Sequence, residues 1–301
     1  MNRDFNNSKR DSIRERLSWL VNRPDGIVHD VQTRFNRAVI LKKNGQIRLY
    51  FVEPGWLSLN FSTCGAMSRI DLDDPLNLLA VYTQAMMLTL AWNSNPARIC
   101  ILGLGGGRLG MVFHHHIPDV MIDCVEIDPV VVDLSETFFA VTPDDRLKLI
   151  IQDGREFMET LPSDTGYDII LVDCFTGRGH HPGRVATMEF YRACASHLAP
   201  GGVVAANLHA SDPLFDRKAA TFSSSFAHTY HFRHDDADVF FGSEKNPFTA
   251  NSLMHIAGEL QRMFAFPFHL DSLAENVHVM RTEYAFEEDY VIKDESLFET
   301  L

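Results

Sequence analysis

The sequence predicts an α/β protein in which a doubly wound, mainly parallel sheet follows a small antiparallel sheet. After residue 96, short runs of Ile, Leu and Val alternate with helix-length segments, and the alternation repeats five times. Continuous apolar runs are typical of strands buried on both faces, which indicates a parallel sheet covered by helices. Before residue 73, two β-like runs flank an Asn44-Gly45 step, the strongest short hairpin signal.

These patterns divide the chain of 301 residues into three predicted parts. Residues 1–26 form a helical arm with Ser12 as candidate N-cap, because Glu15 follows it at capping-box spacing. Residues 27–72 form the small antiparallel β-domain, and residues 73–301 form the larger sheet domain.

Two further features concern the larger domain. Asp74 followed by Pro75 predicts the start of a helix, with Asp74 as its N-cap. Two β-like runs between residues 226 and 244 predict a closing hairpin, with an antiparallel last strand at the sheet edge. Residues 265–301 carry no pattern that assigns them to an element.

Composition limits the partners and the location that we expect. A net charge of −13 disfavours a nucleic-acid partner, because phosphate backbones would be repelled. No apolar run approaches the roughly 20 residues that cross a bilayer, and the N-terminal segment has no apolar signal core. We therefore expect a cytoplasmic protein with no membrane partner. Five cysteines without C-x-x-C spacing predict reduced thiols and no metal site.

A glycine-rich loop lies between the first predicted strand of the large sheet and the helix that follows. Gly103, Gly105 and Gly107 belong to this loop. Glycine lets the backbone turn sharply and lets a ligand lie against it, and the next helix offers unpaired N–H groups at its start. Placed between strand and helix, the loop predicts a Rossmann-like cofactor site.

Acidic residues stand at the ends of the next three predicted strands. Glu126 follows Gly107 by 19 residues, close to the roughly 20 expected of an acid that binds ribose hydroxyls. Asp153, in an Asp-Gly step that alone would fit a simple turn, could accept a hydrogen bond from an adenine amino group. Asp173 could take a proton from an attacking amine, or stabilise positive charge on it. NAD dehydrogenases share the first two features, but no separate catalytic His or Lys motif supports hydride transfer.

The segments that carry these residues resemble one family. They read ILGLGGGRLG, VEIDPVVVDLSETFF, IIQDGREF, YDIILVDCFTG and TMEFYRACASHLAPGGVVAANL. They resemble the spermidine/spermine synthases, or polyamine aminopropyltransferases, and most of all bacterial spermidine-synthase-like proteins of unassigned substrate. The resemblance spans roughly residues 27–245. It implies a class I methyltransferase-type domain behind a small β-domain, a homodimer, and S-adenosylmethionine or its decarboxylated form as co-substrate, with no metal.

The resemblance also implies roles for individual residues. Gln32 would contact the cofactor from the small sheet, Tyr82 would line the cleft, Glu126 would hold the ribose, and Asp153 would bind the adenine edge. The catalytic acid/base would be Asp173. The full predicted cofactor set is Gln32, Tyr82, Gly103, Gly105, Gly107, Arg108, Glu126, Asp153 and Gly154.

Two positions depart from the family pattern. The family's Gly-Gly-Gly-Asp-Gly loop has Arg108 in place of its Asp, and its Asp-Ser-Ser-Asp-Pro segment has Thr176 in place of the second Asp. Two carboxylates that would bind cationic amines are therefore missing. One hypothesis is that Arg108 pairs with the carboxylate of intact S-adenosylmethionine, since arginine suits bidentate carboxylate binding. A solvent-facing Arg108 is an equally good alternative.

The leading prediction is a spermidine-synthase-like transferase that alkylates a small amine acceptor by aminopropyl-type transfer. An S-adenosylmethionine-dependent methyltransferase is the first alternative. A protein that binds the cofactor without catalysing transfer is the second. The sequence names neither the acceptor nor the group transferred, since fold similarity does not supply them.

Overall fold

Two sheets and nine α-helices, with short 3-10 turns between them, form the described part of the chain. A computed structural model describes residues 2–52, 65–175, 182–235, 237–245, 248–280 and 290–297. The α-helices are α1 Asn2–Val21, α2 Val81–Met86, α3 Arg108–His116, α4 Pro129–Phe139, α5 Gly154–Thr160, α6 Met188–Ser196, α7 Phe215–Ser223, α8 Ala250–Phe264 and α9 Leu270–Ala274. The strands are β1 Gly26–Gln32, β2 Arg37–Lys43, β3 Gln46–Val52, β4 Ser68–Asp71, β5 Arg98–Leu102, β6 Met121–Glu126, β7 Leu147–Ile151, β8 Tyr167–Val172, β9 Leu198–Leu208, β10 His228–His234, β11 Ala237–Ser243 and β12 Val277–Met280.

The small sheet is an antiparallel meander in the order β1-β2-β3-β4. The predicted hairpin at Asn44-Gly45 is confirmed: Lys43 pairs with Gln46, and both turn residues have positive φ, 52° and 73°. These values suit the two-residue turns that match strand twist. One face of this sheet packs into the main core through Ile40 and Leu49, which are fully buried.

The large sheet has the order β12-β10-β11-β9-β8-β5-β6-β7. Strands β5 to β9 are parallel to their neighbours within this group, which confirms the predicted doubly wound fold. The chain runs outward from β5 to β7 on one side, then returns to place β8 on the other side of β5. This reversal is the point at which open α/β sheets bind ligands, outside the carboxyl ends of the strands.

Two predicted helix starts are wrong. Helix α1 runs through Ser12, because no Gly or Pro interrupts residues 2–11. Helix α2 begins at Val81 with Ala80 as its N-cap, and not at Asp74-Pro75. The carboxylate of Asp71, which ends β4, accepts the backbone N–H groups of Asp73 and Asp74 and holds that segment in a turn.

The closing hairpin is confirmed, but it does not form the sheet edge. Strands β10 and β11 pair antiparallel, and β11 joins the sheet beside β9. The edge strand is β12, which pairs with β10 through Thr229 and Met280. Four residues are too few to show a strand period, so the sequence left this segment unassigned. Within the described ranges, no helix is both long and apolar enough to cross a membrane.

Candidate active site

A cavity of about 1180 Å³ lies between the carboxyl ends of the parallel strands and the small sheet. This volume exceeds the usual range for one drug-sized ligand, so two reactants can occupy it together. One wall, the acidic wall, carries carboxylates at the strand ends: Glu126, Asp128, Asp153 and Asp173. The facing wall comes from β3, β4 and the segment around Tyr82, and it carries Arg48 and Arg69.

The glycine loop brings β5 and β8 into close contact. Gly103 has φ of 93°, and a Cβ there would lie 2.3 Å from the backbone oxygen of Asp173. No other residue fits such an approach. Gly107, with φ of 63°, is the N-cap of α3. Ser68 of β4 accepts a hydrogen bond from the Gly106 N–H at 2.9 Å, which fastens the small sheet to this loop.

Glu126, at the end of β6, joins two loops of the acidic wall. One carboxylate oxygen accepts the Leu104 N–H at 3.0 Å, and the other accepts the Asp128 N–H at 3.1 Å. Burial raises the pKa of Glu126, and these backbone donors oppose the rise. Each oxygen keeps acceptor capacity, so the side chain can still receive hydroxyl donors from a ligand in the cavity.

Asp153 begins α5 and lines the same wall. Its Oδ1 accepts the N–H groups of Arg155 and Glu156, each at 3.0 Å, as an N-cap does. Its Oδ2 lies 3.8 Å from a nitrogen of Arg184. Gly154 follows at the first helical position and also lines the cavity.

Asp173 lies at the reversal point between β5 and β8, held by two side chains. The Tyr82 hydroxyl donates to its Oδ2 at 3.2 Å, and the Asn207 amide donates to its Oδ1 at 2.9 Å. Burial raises the pKa of Asp173 to about 6, and the hydrogen bonds from Asn207 and Tyr82 oppose the rise. A carboxylate with this pKa is ionised at neutral pH and poised to accept a proton.

The pKa values of Tyr82 and Cys174 indicate which side chains of the cavity can accept a proton or attack a substrate. Burial raises the pKa of the Tyr82 phenol well above its ordinary value, so the hydroxyl stays a donor. Burial also raises the pKa of the Cys174 thiol well above its usual range. Because a thiolate is the nucleophilic form of cysteine, Cys174 is not poised to attack a substrate. Asp173 is therefore the candidate proton acceptor of the site.

The spermine/spermidine synthase domain model matches residues 80–236, which is more than half of the chain. The chain belongs to the spermine/spermidine synthase family. A polyamine aminopropyltransferase of Vibrio vulnificus (strain CMCP6) is 33% identical over 153 residues, which make up 50% of this chain and 51% of that protein. The chain thus matches about half the length of this relative.

Two solved structures share the fold. A probable spermidine synthase from Corynebacterium glutamicum ATCC 13032 has a TM-score of 0.65 at 20% identity, over 86% of this chain and 92% of that chain. Human Methyltransferase-like protein 13 in complex with SAH has a TM-score of 0.57 at 26% identity, over 63% of this chain and 94% of that chain. The predicted class I methyltransferase-type fold is confirmed.

Most residues singled out by the family resemblance meet at the cavity. Of the predicted set, Tyr82, Gly103, Gly105, Glu126, Asp153, Gly154 and Asp173 all line it. Gly107, also in the glycine loop, is not among the residues that line this cavity, and a Cβ there would come 2.5 Å from Val141. Thr176, the second departure from the family pattern, lies outside the described residues.

The structure does not bring Gln32 to the cavity. Its side chain is exposed, and its amide donates to the carbonyls of Thr33 and Asn36, each at 3.0 Å. The turn that it closes places Phe35 and Asn36 at the cavity instead. Gln32 ends β1, and its side chain closes the turn that follows.

Arg108 also lies outside the large cavity. Only 5% of it is exposed, and its guanidinium donates to the Pro75 carbonyl and contacts the Met111 sulfur at 3.3 Å. Burial lowers its pKa to about 10, while the nearby charge of Asp74 opposes the fall. The expectation of a solvent-facing Arg108 is wrong. The predicted pairing with a cofactor carboxylate has no support from the position of the guanidinium.

The polar cavity residues that escaped the sequence analysis include Ser68, Asn207, Arg48 and Arg69. Asn207 could have been found, because it stands near the end of β9, as the predicted acids do on their strands. The other three lie on β3 and β4, where no comparable rule applies. Within the part of the chain that the structure describes, no group of three or more His, Cys, Asp or Glu residues could hold a metal ion.

Proposed function

We propose that the protein is a transferase that moves an aminopropyl-type group from a sulfonium nucleoside to a small amine acceptor. The single observation that carries the proposal is the placement of Asp173. Its carboxylate is held between Tyr82 and Asn207, at the strand reversal, in a cavity large enough for two reactants. Membership of the spermine/spermidine synthase family supports this reading.

The reaction needs little covalent chemistry from the protein. The acceptor nitrogen attacks a carbon bonded to the positively charged sulfur. A carbon–nitrogen bond forms, the carbon–sulfur bond breaks with its electron pair moving to sulfur, and a neutral thioether leaves. Positive charge passes to the nitrogen, whose proton goes to Asp173. The cavity thus contributes positioning and a base of suitable pKa.

The cofactor in this proposal is S-adenosylmethionine or its decarboxylated form, as co-substrate and without a metal. Glu126 would accept hydrogen bonds from the ribose hydroxyls, and the Asp153–Gly154 segment would meet the adenine edge. Both segments line the acidic wall. The homodimer, the cytoplasmic location and the absence of a nucleic-acid partner stay predictions.

Methyl transfer is the second candidate function. The solved methyltransferase that shares this fold is bound to SAH, the product of methyl transfer. Asp173 could serve as base for either transfer, because both start with attack on a carbon next to sulfur. The two reactions differ in the nucleoside that they release, so the product distinguishes them.

The test is to identify the nucleoside released by the purified protein. The protein is incubated with each form of the cofactor and a panel of amines. The products are separated by chromatography and identified by mass spectrometry. Methylthioadenosine formed with an amine acceptor supports aminopropyl or aminocarboxypropyl transfer, and the mass of the alkylated amine separates these. S-adenosylhomocysteine supports methyl transfer. Tight binding of the cofactor without turnover of any acceptor would contradict both and favour a non-catalytic binding protein.

A further inference from the structure

Two arginines lie side by side on neighbouring strands of the small sheet. Arg48 of β3 is paired with Arg69 of β4 in the antiparallel register. Both side chains are half-buried, and both residues line the large cavity. Like charges directly opposite each other on neighbouring strands destabilise a sheet. The position of the pair at a ligand cavity calls for a functional reason.

Neither guanidinium has a carboxylate partner within the described residues. Arg48 donates to the amide oxygen of Gln46, at 3.2 and 2.9 Å. Arg69 donates to the backbone carbonyl of Leu79 at 3.1 Å. These neutral acceptors orient the side chains without cancelling their charge. By contrast, Arg184, the third cavity arginine, lies 3.8 Å from Asp153.

The pair lies beside the reacting centre. Ser68 precedes Arg69 and accepts the hydrogen bond from Gly106 of the glycine loop. The positive charge of Arg69 also acts on the Tyr82 phenol, where it opposes the rise of the Tyr82 pKa. Tyr82 in turn donates to Asp173. A ligand group between the two guanidinium groups would therefore lie near the base and the glycine loop.

We infer that Arg48 and Arg69 bind a carboxylate of a ligand that occupies this cavity. Guanidinium groups match the geometry of a carboxylate, and an anion between two cations removes their mutual repulsion. The inference rests on the proposed function for its ligand classes. The carboxylate belongs either to the methionine part of intact S-adenosylmethionine or to an amino-acid-like acceptor. In both cases the reactants differ from a purely cationic amine pair.

Two matched ligand pairs, each differing by one carboxylate, test the inference by calorimetric titration. The first is S-adenosylmethionine and its decarboxylated form. The second is ornithine and 1,4-diaminobutane, titrated with methylthioadenosine present. We expect the wild-type protein to prefer the carboxylate-bearing member of at least one pair by roughly 10- to 100-fold, the range of a charge-assisted hydrogen bond. The pair that shows the preference identifies the source of the carboxylate.

Three variants complete the test. The double variant Arg48→Gln/Arg69→Gln should lose the preference and bind the carboxylate-free member no worse. The double variant Arg48→Lys/Arg69→Lys keeps the charge and should recover part of it. Arg37→Gln is the matched control, because Arg37 lies on the same sheet but pairs with Asp30, outside the cavity. Melting curves establish that each variant is folded.

The outcomes separate this inference from the proposed function. No preference in either pair, or a preference that persists in the double Gln variant, overturns the carboxylate site alone. Binding of no nucleoside at all overturns the proposed function and this inference with it. A preference that disappears in the Gln variant and returns in part in the Lys variant supports the carboxylate site, whereas the nucleoside released on turnover tests the proposed function.

Discussion

The two walls of the cavity are built on different principles. On the acidic wall, Glu126, Asp153 and Asp173 each stand at or just after the end of a parallel strand, and the parallel arrangement brings all these strand ends to one edge. On the facing wall, Arg48 and Arg69 stand in the interiors of antiparallel strands and meet through their register. The first wall follows from the order of elements along the chain, and the second depends on pairing between strands.

The electrostatics of the walls differ as well. Carboxylates of the acidic wall accept backbone N–H groups, as Glu126 and Asp153 do, and these bonds fix the loops around the cavity. The two arginines donate only to neutral oxygens among the described residues, so their charge is left for a ligand. This contrast supports the proposal that the acidic wall holds a nucleoside and that the facing wall selects its partner group.

The largest expected effect follows from removing the base. Asp173→Asn keeps the shape of the side chain but cannot accept a proton, so turnover should fall roughly 10²- to 10⁴-fold. Initial rates at saturating cofactor measure the loss. Asp133→Asn is the control, because Asp133 is exposed on α4 and its substitution removes the same negative charge at a site outside the cavity. Equal rates for the wild type and Asp173→Asn would contradict the role of Asp173.

A second prediction concerns two glycines of the acidic wall. Gly103→Ala should destabilise the fold by about 3 kcal/mol or more, because its Cβ would lie 2.3 Å from the Asp173 backbone oxygen at a positive φ. Gly154→Ala is the matched control. Its Cβ would meet Leu102 at 3.6 Å, an ordinary contact, and alanine favours a helix by up to about 1 kcal/mol. Denaturant unfolding measures both, and similar losses would contradict the close approach of β5 and β8.

The pH dependence of the rate sharpens the account of Asp173. Its pKa of about 6 means that the base is protonated below pH 6, so kcat/KM should rise with pH through about 6 and then level. The hydrogen bond from the Asn207 amide lowers the pKa of Asp173, so Asn207→Leu should shift the rising limb of the pH–rate profile to higher pH. A rate profile of both proteins checks the direction. A limb near pH 4 in the wild type would show that burial does not act on Asp173 as described.

The raised pKa of Asp173 also predicts that replacing this residue stabilises the protein at neutral pH. Between about pH 4 and 6 the folded protein binds more protons at Asp173 than the unfolded chain does, so this group lowers stability as pH rises. Asp173→Asn should therefore raise the free energy of unfolding at pH 7.5 by about 1–3 kcal/mol. The gain should vanish at pH 4. A gain of equal size at both pH values would contradict the linkage.

The smallest expected effect is a change in stability caused by substituting an arginine of the facing wall. Arg48→Gln removes the repulsion from Arg69, so without ligand it should stabilise the protein by about 0.2–1 kcal/mol, and less in 1 M salt. Arg37→Gln should instead be neutral or slightly destabilising, because it breaks an exposed ion pair. Thermal melts of both variants measure the contrast. Destabilisation by Arg48→Gln that is independent of salt would show that the two arginines do not repel each other.

Sequence patterns predicted the acidic wall because strand ends in a parallel sheet need no knowledge of register. The same rule, applied to β9, would have included Asn207. Arg48 and Arg69 lie 21 residues apart in sequence, and only the antiparallel register places them opposite each other. The Asn44-Gly45 turn predicted the pairing of β2 with β3, but in the sequence 15 residues separate the end of β3 at Val52 from the start of β4 at Ser68.

Arg108 shows a second limit of sequence reasoning. Its position in the glycine loop suggested a cofactor contact, but Gly107 is the left-handed N-cap of α3, and the Arg108 guanidinium donates to the Pro75 carbonyl. The start of α2 was placed too early for a related reason. Asp71 holds the 71–74 segment as a turn, and this contact is not visible in a helix-capping pattern.

One titration tests most directly whether the acidic wall binds the nucleoside without help from the arginines of the facing wall. Methylthioadenosine carries the nucleoside but no carboxylate, so it should depend on the acidic wall alone. We expect binding to the wild type, a roughly 10- to 100-fold loss in Glu126→Gln, and no loss in Arg48→Gln/Arg69→Gln. If methylthioadenosine does not bind, or if it binds Glu126→Gln as well as the wild type, the acidic wall is not a nucleoside site.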